Sequence, residues 1–99
     1  MKLFLDDTRD FPTGYVGFRD YEKLAAFLGV CGEIDEVSLD YELGCMKTGF
    51  DVLIFMHKNG IRPKKINIHS SHAFGVMRME GFARTHFPFS EVTVNPLKK

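Results

Sequence analysis

The chain has 99 residues, 44% hydrophobic and 26% charged, with ten phenylalanines and no tryptophan. That suffices for one domain with one core, spanning residues 1–99, and is too little for two. Thirteen Lys and Arg balance thirteen Asp and Glu, so bulk charge carries no strong signal for nucleic acid or an anionic membrane.

The opening apolar run, Leu3-Phe4-Leu5, is too short for a signal peptide, and no stretch reaches the length of a membrane span. The expected location is cytoplasmic, where Cys31 and Cys45 stay reduced. The local basic groups, Arg62-Lys64-Lys65 and Lys98-Lys99, read as a solvated loop and a solvated tail.

In chain order, Leu3-Phe4-Leu5 predicts a first strand, stopped by Asp6-Asp7. Residues 8 to 14 contain Pro12 and Gly14 and predict a loop where a helix would be usual. Tyr15 to Phe18 predicts a second strand. Asp20 then caps a helix with Tyr21, Leu24, Phe27 and Leu28 on one face, ended by Gly29. Glu36 to Asp40 is the third strand. Thr48 and Asp51 have capping-box spacing and open a helix with Phe50, Leu53, Ile54 and His57 on one face, closed by Gly60 and Pro63. Lys65 to Ser70 is the fourth strand. Ser70 or Ser71 caps the next helix, which groups Phe74, Met77 and Phe82 and ends before Pro88. Glu91 to Asn95 is the last strand, cut off by Pro96. Strands alternating with helices predict an α/β fold with a parallel sheet and helices on both faces.

The polar residues collect at one end of that sheet. The first strand runs into Asp6-Asp7, the third into Asp40, the fourth into His69-Ser70-Ser71-His72 and the fifth into Asn95. Ligands of open parallel sheets bind outside the carboxyl ends of the strands, so these groups form the candidate pocket. Carboxylates held close together repel, and a divalent cation such as Mg²⁺ relieves the repulsion. The metal candidates are therefore Asp6, Asp7 and Asp40. Ser70, with Ser71 and the N–H groups opening the following helix, suits phosphate oxygens, and His69 or His72 suits proton transfer. His69, beside Ile68, is also readable as a satisfied core histidine, and Asp residues at strand ends also cap turns. His57 and His86 read as structural or surface residues.

Leu3-Phe4-Leu5-Asp6-Asp7, Ser38-Leu39-Asp40, the helix start Thr48-Gly49-Phe50-Asp51-Val52-Leu53 and a fourth strand ending in Ser70 resemble the receiver domains of bacterial response regulators. The resemblance implies a metal pair at Asp6 and Asp7, a phosphoryl-accepting aspartate at Asp40 and a hydroxyl at Ser70. The receiver lysine before the last proline is absent, since Asn95 precedes Pro96. Together, LFLDDTR, SLDYELG, TGFDVL and IHSSHAFGVMRM are more similar to the cyclic-phosphate-processing receiver-like domains of bacteria and phages, with His72 where that pattern usually has Asn.

The implied fold is a compact, flavodoxin-like or receiver-like parallel five-stranded sheet with helices on both faces, lacking the first and last receiver helices. The implied activity is metal-dependent phosphoester processing, of a cyclic phosphate or nucleotide, with Mg²⁺ or Mn²⁺. In it Asp40, His69 and His72 are catalytic, and Ser70, Ser71 and Arg9 bind substrate. The alternatives are a receiver or pseudo-receiver that switches a protein partner, and a binding module for a nucleotide or protein without chemistry.

Overall fold

A computed structural model describes residues 1–95. Pro96, the Lys98-Lys99 tail and the place of a last receiver helix lie outside the described residues. The elements are β1 (Lys2–Leu5), β2 (Val16–Phe18), α1 (Tyr21–Leu28), β3 (Glu36–Leu39), α2 (Gly49–Lys58), β4 (Lys65–Ile68), α3 (Ala73–His86) and β5 (Glu91–Val94). The five strands form one parallel sheet in the order β2-β1-β3-β4-β5. This is the α/β arrangement with a parallel sheet expected from the alternation of elements, and the receiver-like one that the resemblance implies. No helix among the described residues is long and apolar enough to cross a membrane.

Among the described residues the helices cover one face of the sheet and not both, a correction to the sequence-based expectation. From β2 the chain steps to β3, β4 and β5 in a single direction, so right-handed crossovers place α1, α2 and α3 on the same side. There Leu3, Leu5, Val37, Leu39, Ile66 and Ile68 meet Leu24, Leu28, Val52, Leu53, Met56, Met79 and Ala83 in one buried core. The connection that would put a helix on the other side runs from β1 to β2, and it is the loop between Asp6 and Tyr15.

Parallel sheets are normally covered on both faces, and the residues of this second face explain how it does without helices. Lys2, Glu36, Lys65 and Glu91 share one rung, and Phe4, Ser38, Asn67 and Thr93 share the next. The first rung alternates in charge and the second is mostly hydrogen-bonding. Only Phe4 is large and apolar, and it is roofed by Phe11 and Tyr15 of the loop, edge-on at 6.1 and 5.7 Å between ring centroids.

The caps follow the sequence at two helices of three. The Asp20 carboxylate accepts from the Lys23 N–H at 2.9 Å. Thr48 and Asp51 form the predicted capping box, with the Thr48 N–H donating to Asp51 Oδ2 at 2.7 Å. At α3 the cap is His72, whose Nδ1 accepts from the Gly75 N–H at 2.9 Å; Ser70 acts one step earlier, accepting from the His72 N–H at 3.1 Å.

The buried stripes are also shifted. Helix α3 buries Gly75, Met79 and Ala83 and leaves Phe74 and Met77 62% and 66% exposed. Its small residues allow close approach: a Cβ at position 75 would overlap the Tyr41 ring, and one at position 49, where α2 starts, would overlap the Asp40 carbonyl. Helix α2 buries Gly49, Val52, Leu53 and Met56 and leaves His57 exposed.

The loop after β1 is pinned from the residue that follows β2. The Arg19 guanidinium donates to the carbonyls of Asp6 at 3.1 Å and Arg9 at 2.6 Å, and lies 4.1 Å over the Phe11 ring. Phe11 in turn occupies the space a Cβ would take at Gly17. Gly17→Ala should therefore displace Phe11 and lower unfolding free energy by about 1–3 kcal/mol, the usual effect of overpacking. Urea denaturation reads this, and an unchanged midpoint would contradict the packing described.

Candidate functional site

The site residues stand one step beyond the last paired residue of their strands, and the sheet ladder holds each of them. The N–H of Asp6 donates to the Phe18 carbonyl at 3.1 Å, that of Asp40 to Leu5 at 3.1 Å, that of His69 to Leu39 at 2.9 Å and that of Asn95 to Ile68 at 2.9 Å. The strands thus end one residue earlier than predicted at Asp40 and Asn95 and two earlier at Ser70, but their backbones stay in register. Side chains alternate along a strand, so Asp6, Asp40 and His69 fall on the face without helices.

Asp6, Asp7 and Asp40 come together as expected, each offering a carboxylate oxygen within 4.8 Å of the others. They differ in surroundings. Asp6 is only 1% exposed. Its Oδ1 accepts from the N–H groups of Thr8 and Arg9, both at 2.9 Å, and its Oδ2 lies 3.1 Å from His69 Nε2. Burial works against its charge, but the Arg9 and Thr8 N–H groups and then His69 outweigh it, so the carboxyl sits below its ordinary range.

Asp40 goes the other way and is pushed up to about 6. Burial is the main cause. The Ser70 hydroxyl and the Tyr41 N–H oppose it, while the charges of Asp6 and Asp7 add to it. A carboxylate that resists ionisation beside two others is a site short of positive charge. All-oxygen donors of this kind suit a hard divalent cation.

In front of the cluster lies a cavity of about 300 Å³, lined by Asp7, Thr8, Arg9, Asp40, Glu42, Gly44, Ser70 and Ser71. The structure therefore brings Arg9, Ser70 and Ser71 to the same cavity as Asp7 and Asp40. The Arg9 Nε is 3.9 Å from Asp6 Oδ2.

Neither histidine lines the cavity. His69 is 3% exposed and stacks on Phe4 at 4.2 Å between centroids with 9° between planes. Its Nδ1 is 2.7 Å from Ser38 Oγ while its Nε2 faces Asp6, so both ring nitrogens are engaged by protein. Burial, partly offset by Asp6, holds its pKa below the ordinary value. The pleat turns the His69 ring, expected from sequence to serve in proton transfer, to the rear of the acidic cluster. His72 uses Nδ1 to cap α3 and packs its ring on Tyr41, 4.7 Å between centroids. His57 and His86 lie far along α2 and α3 with their rings 4.6 Å apart, beside a separate recess.

Thr8, Glu42 and Gly44 also line the cavity and were not singled out from sequence. Glu42 was findable, since it lies two residues past Asp40 on the loop leaving the carboxyl end of β3. Gly44 has φ of 71°, and a Cβ there would come 3.2 Å from Asp7 Oδ2, a proximity that no local sequence signal reveals.

A family model described as "Cyclic-phosphate processing Receiver domain" matches residues 1–85. No curated protein and no solved structure matches the chain.

The raised Asp40 value has a direct consequence for stability. Folding favours the protonated form, so the contribution of Asp40 is fully present below about pH 4 and is lost as pH rises through about 6. In metal-free protein, Asp40→Asn should be more stable than wild type at pH 7.5, by on the order of 1 kcal/mol after allowing for solvent around a half-buried group, and should unfold at a higher temperature. The advantage should vanish near pH 4. Thermal unfolding in chelator at the two pH values checks it, and equal stabilities at pH 7.5 would contradict it.

Proposed function

We propose, from the premise that this chain belongs to the cyclic-phosphate processing receiver domain family, that it processes a phosphoester, a cyclic phosphate or nucleotide, with the help of a divalent cation. The observation that carries this reading is the convergence of Asp6, Asp7 and Asp40 within 4.8 Å at a cavity that also presents Arg9, Ser70 and Ser71. Cation ligands and phosphate ligands thus share one wall.

In this reading Asp7 and Asp40 hold the ion from the cavity side and Asp6 supports them from behind. Mg²⁺ or Mn²⁺ bound there would neutralise a phosphoryl oxygen and lower the pKa of a water. Arg9 meets the remaining negative charge of the phosphate. Ser70, Ser71 and the N–H groups of Ala73 and Phe74 at the start of α3, ahead of the Gly75 N–H that His72 caps, receive phosphate oxygens.

Proton transfer falls to groups that can reach the cavity. Glu42 offers a carboxylate on its wall. The part played by His69 is indirect, through Asp6.

The test is a panel of 2′,3′- and 3′,5′-cyclic nucleotides with Mn²⁺, comparing wild type with Asp40→Asn and Glu42→Gln. Turnover that needs the ion, falls about a hundredfold or more in Asp40→Asn, and falls at least tenfold in Glu42→Gln is the expected result. A wild-type protein that binds Mn²⁺ but turns over nothing on the panel would contradict the enzymatic reading and favour a receiver or ligand-binding role.

A further inference from the structure

The face of the sheet that carries no helix holds a continuous line of hydrogen bonds ending on the acidic cluster. Asn95 Nδ2 and Thr93 Oγ1 both donate to Asn67 Oδ1, at 2.6 and 2.7 Å. Asn67 Nδ2 donates to Ser38 Oγ at 2.9 Å. Ser38 Oγ lies 2.7 Å from His69 Nδ1, and His69 Nε2 lies 3.1 Å from Asp6 Oδ2. The line runs from β5 to β4 and β3, returns to His69 just past the end of β4, and from there spans β3 to the end of β1. Its inner members are buried: Ser38 is 1% exposed, Asn67 7%, His69 3% and Asp6 1%.

The direction of each bond follows from the ends inward. With two donors on Asn67 Oδ1, the amide nitrogen is the group facing Ser38. Ser38 Oγ then accepts from Asn67, so its one hydrogen is free to go to His69 Nδ1. Giving that hydrogen to Nδ1 leaves Nδ1 bare and puts the ring proton on Nε2, where it faces the Asp6 carboxylate. Every buried polar atom along the line is satisfied with this assignment, and among the described residues no buried side-chain nitrogen or oxygen lacks a partner.

We propose that Asn95, Thr93, Asn67, Ser38 and His69 form a one-directional relay that fixes His69 as the neutral Nε2–H tautomer and thereby positions Asp6 in the acidic cluster. These are positioning residues, since none of them lines the cavity. The proposal deepens the reading above and rests on it in one respect, that the Asp6–Asp7–Asp40 cluster holds a cation. The outer end of the relay, Thr93 and Asn95, lies beyond the residues matched by the family model. It gives Asn95 a task at the rear of the site and not in the cavity.

The opposite polarity makes a distinct molecule. If the Asn67 side chain presented an acceptor to Ser38, the hydroxyl would turn toward it. His69 Nδ1 would then need a proton, and the ring would be either an imidazolium or a tautomer with a bare Nε2 facing a carboxylate. Asn67→Asp imposes that reversal with almost no change of shape.

The experiment is nitrogen-15 NMR of the histidine ring at neutral pH in metal-free protein, for wild type and Asn67→Asp, followed by Mn²⁺ titration of both. The expected results are a bare Nδ1 and protonated Nε2 in wild type, a protonated Nδ1 in Asn67→Asp, and Mn²⁺ affinity at least tenfold weaker in the variant. Should Asn67→Asp not fold, Ser38→Ala removes the donor to Nδ1 and should weaken Mn²⁺ in the same direction.

A protonated Nδ1 in wild type would overturn the relay. The expected tautomer with unchanged Mn²⁺ affinity in the folded variant would overturn its positioning role. Wild type that binds no Mn²⁺ would overturn the cation reading, and the positioning claim with it, while the tautomer measurement still decides the polarity of the relay.

Discussion

The carboxylate of Asp6 is the point on which the carboxyl edge of the sheet depends. One oxygen gathers the N–H groups of Thr8 and Arg9 and so turns the chain out of β1. The other faces His69, on the far side of β3. A buried carboxylate without such partners would be strongly disfavoured; here the hydrogen bonds outweigh burial and keep it charged. Asp7 and Arg9 reach the cavity because Asp6 does not, being occupied in holding the turn that presents them.

That arrangement depends on the missing helix. A helix between β1 and β2 would have covered the face on which Asp6, His69 and Ser38 lie, and its apolar stripe would have needed apolar partners there. The loop with Phe11 and Tyr15 covers Phe4 and reaches no further than Glu36, to which the Tyr15 hydroxyl donates at 2.7 Å. The remaining width of the face can then carry Ser38, Asn67 and Thr93, which bond to one another across strands instead of packing against a helix. Loss of a helix and the presence of a buried polar line are two sides of one structural choice, and both sit directly behind the acidic cluster.

Much of this was legible in the sequence because it depends on local chemistry. Short apolar runs alternating with helical periods marked all five strands and three helices, and Asp20, Thr48 and Asp51 marked two helix starts. The rule that sites lie past strand ends was enough to gather Asp6, Asp7, Asp40, Ser70 and Ser71. What escaped depends on pairing and handedness. The strand order puts all three crossovers on one side, and no single segment encodes that order. The burial of His69 follows from a pleat whose phase against Phe4 is set only by sheet register. In α3 the larger apolar residues, Phe74 and Met77, suggested the packed stripe, whereas Gly75 and Ala83 form it because Tyr41 and the sheet come close. Glu42 lies two residues past Asp40, within reach of the same strand-end rule, and stands on the cavity wall.

The central claim, that Asp7 and Asp40 hold a divalent cation in front of Asp6, is tested most directly by diffraction from crystals of the protein grown with Mn²⁺, using the anomalous signal of the metal. The account predicts an ion in the cavity beside Ser70, with carboxylate oxygens of Asp7 and Asp40 at about 2.0–2.3 Å, near the range for small hard cations. Crystals at millimolar Mn²⁺ with no anomalous peak at these carboxylates, or with the peak elsewhere on the molecule, would contradict it.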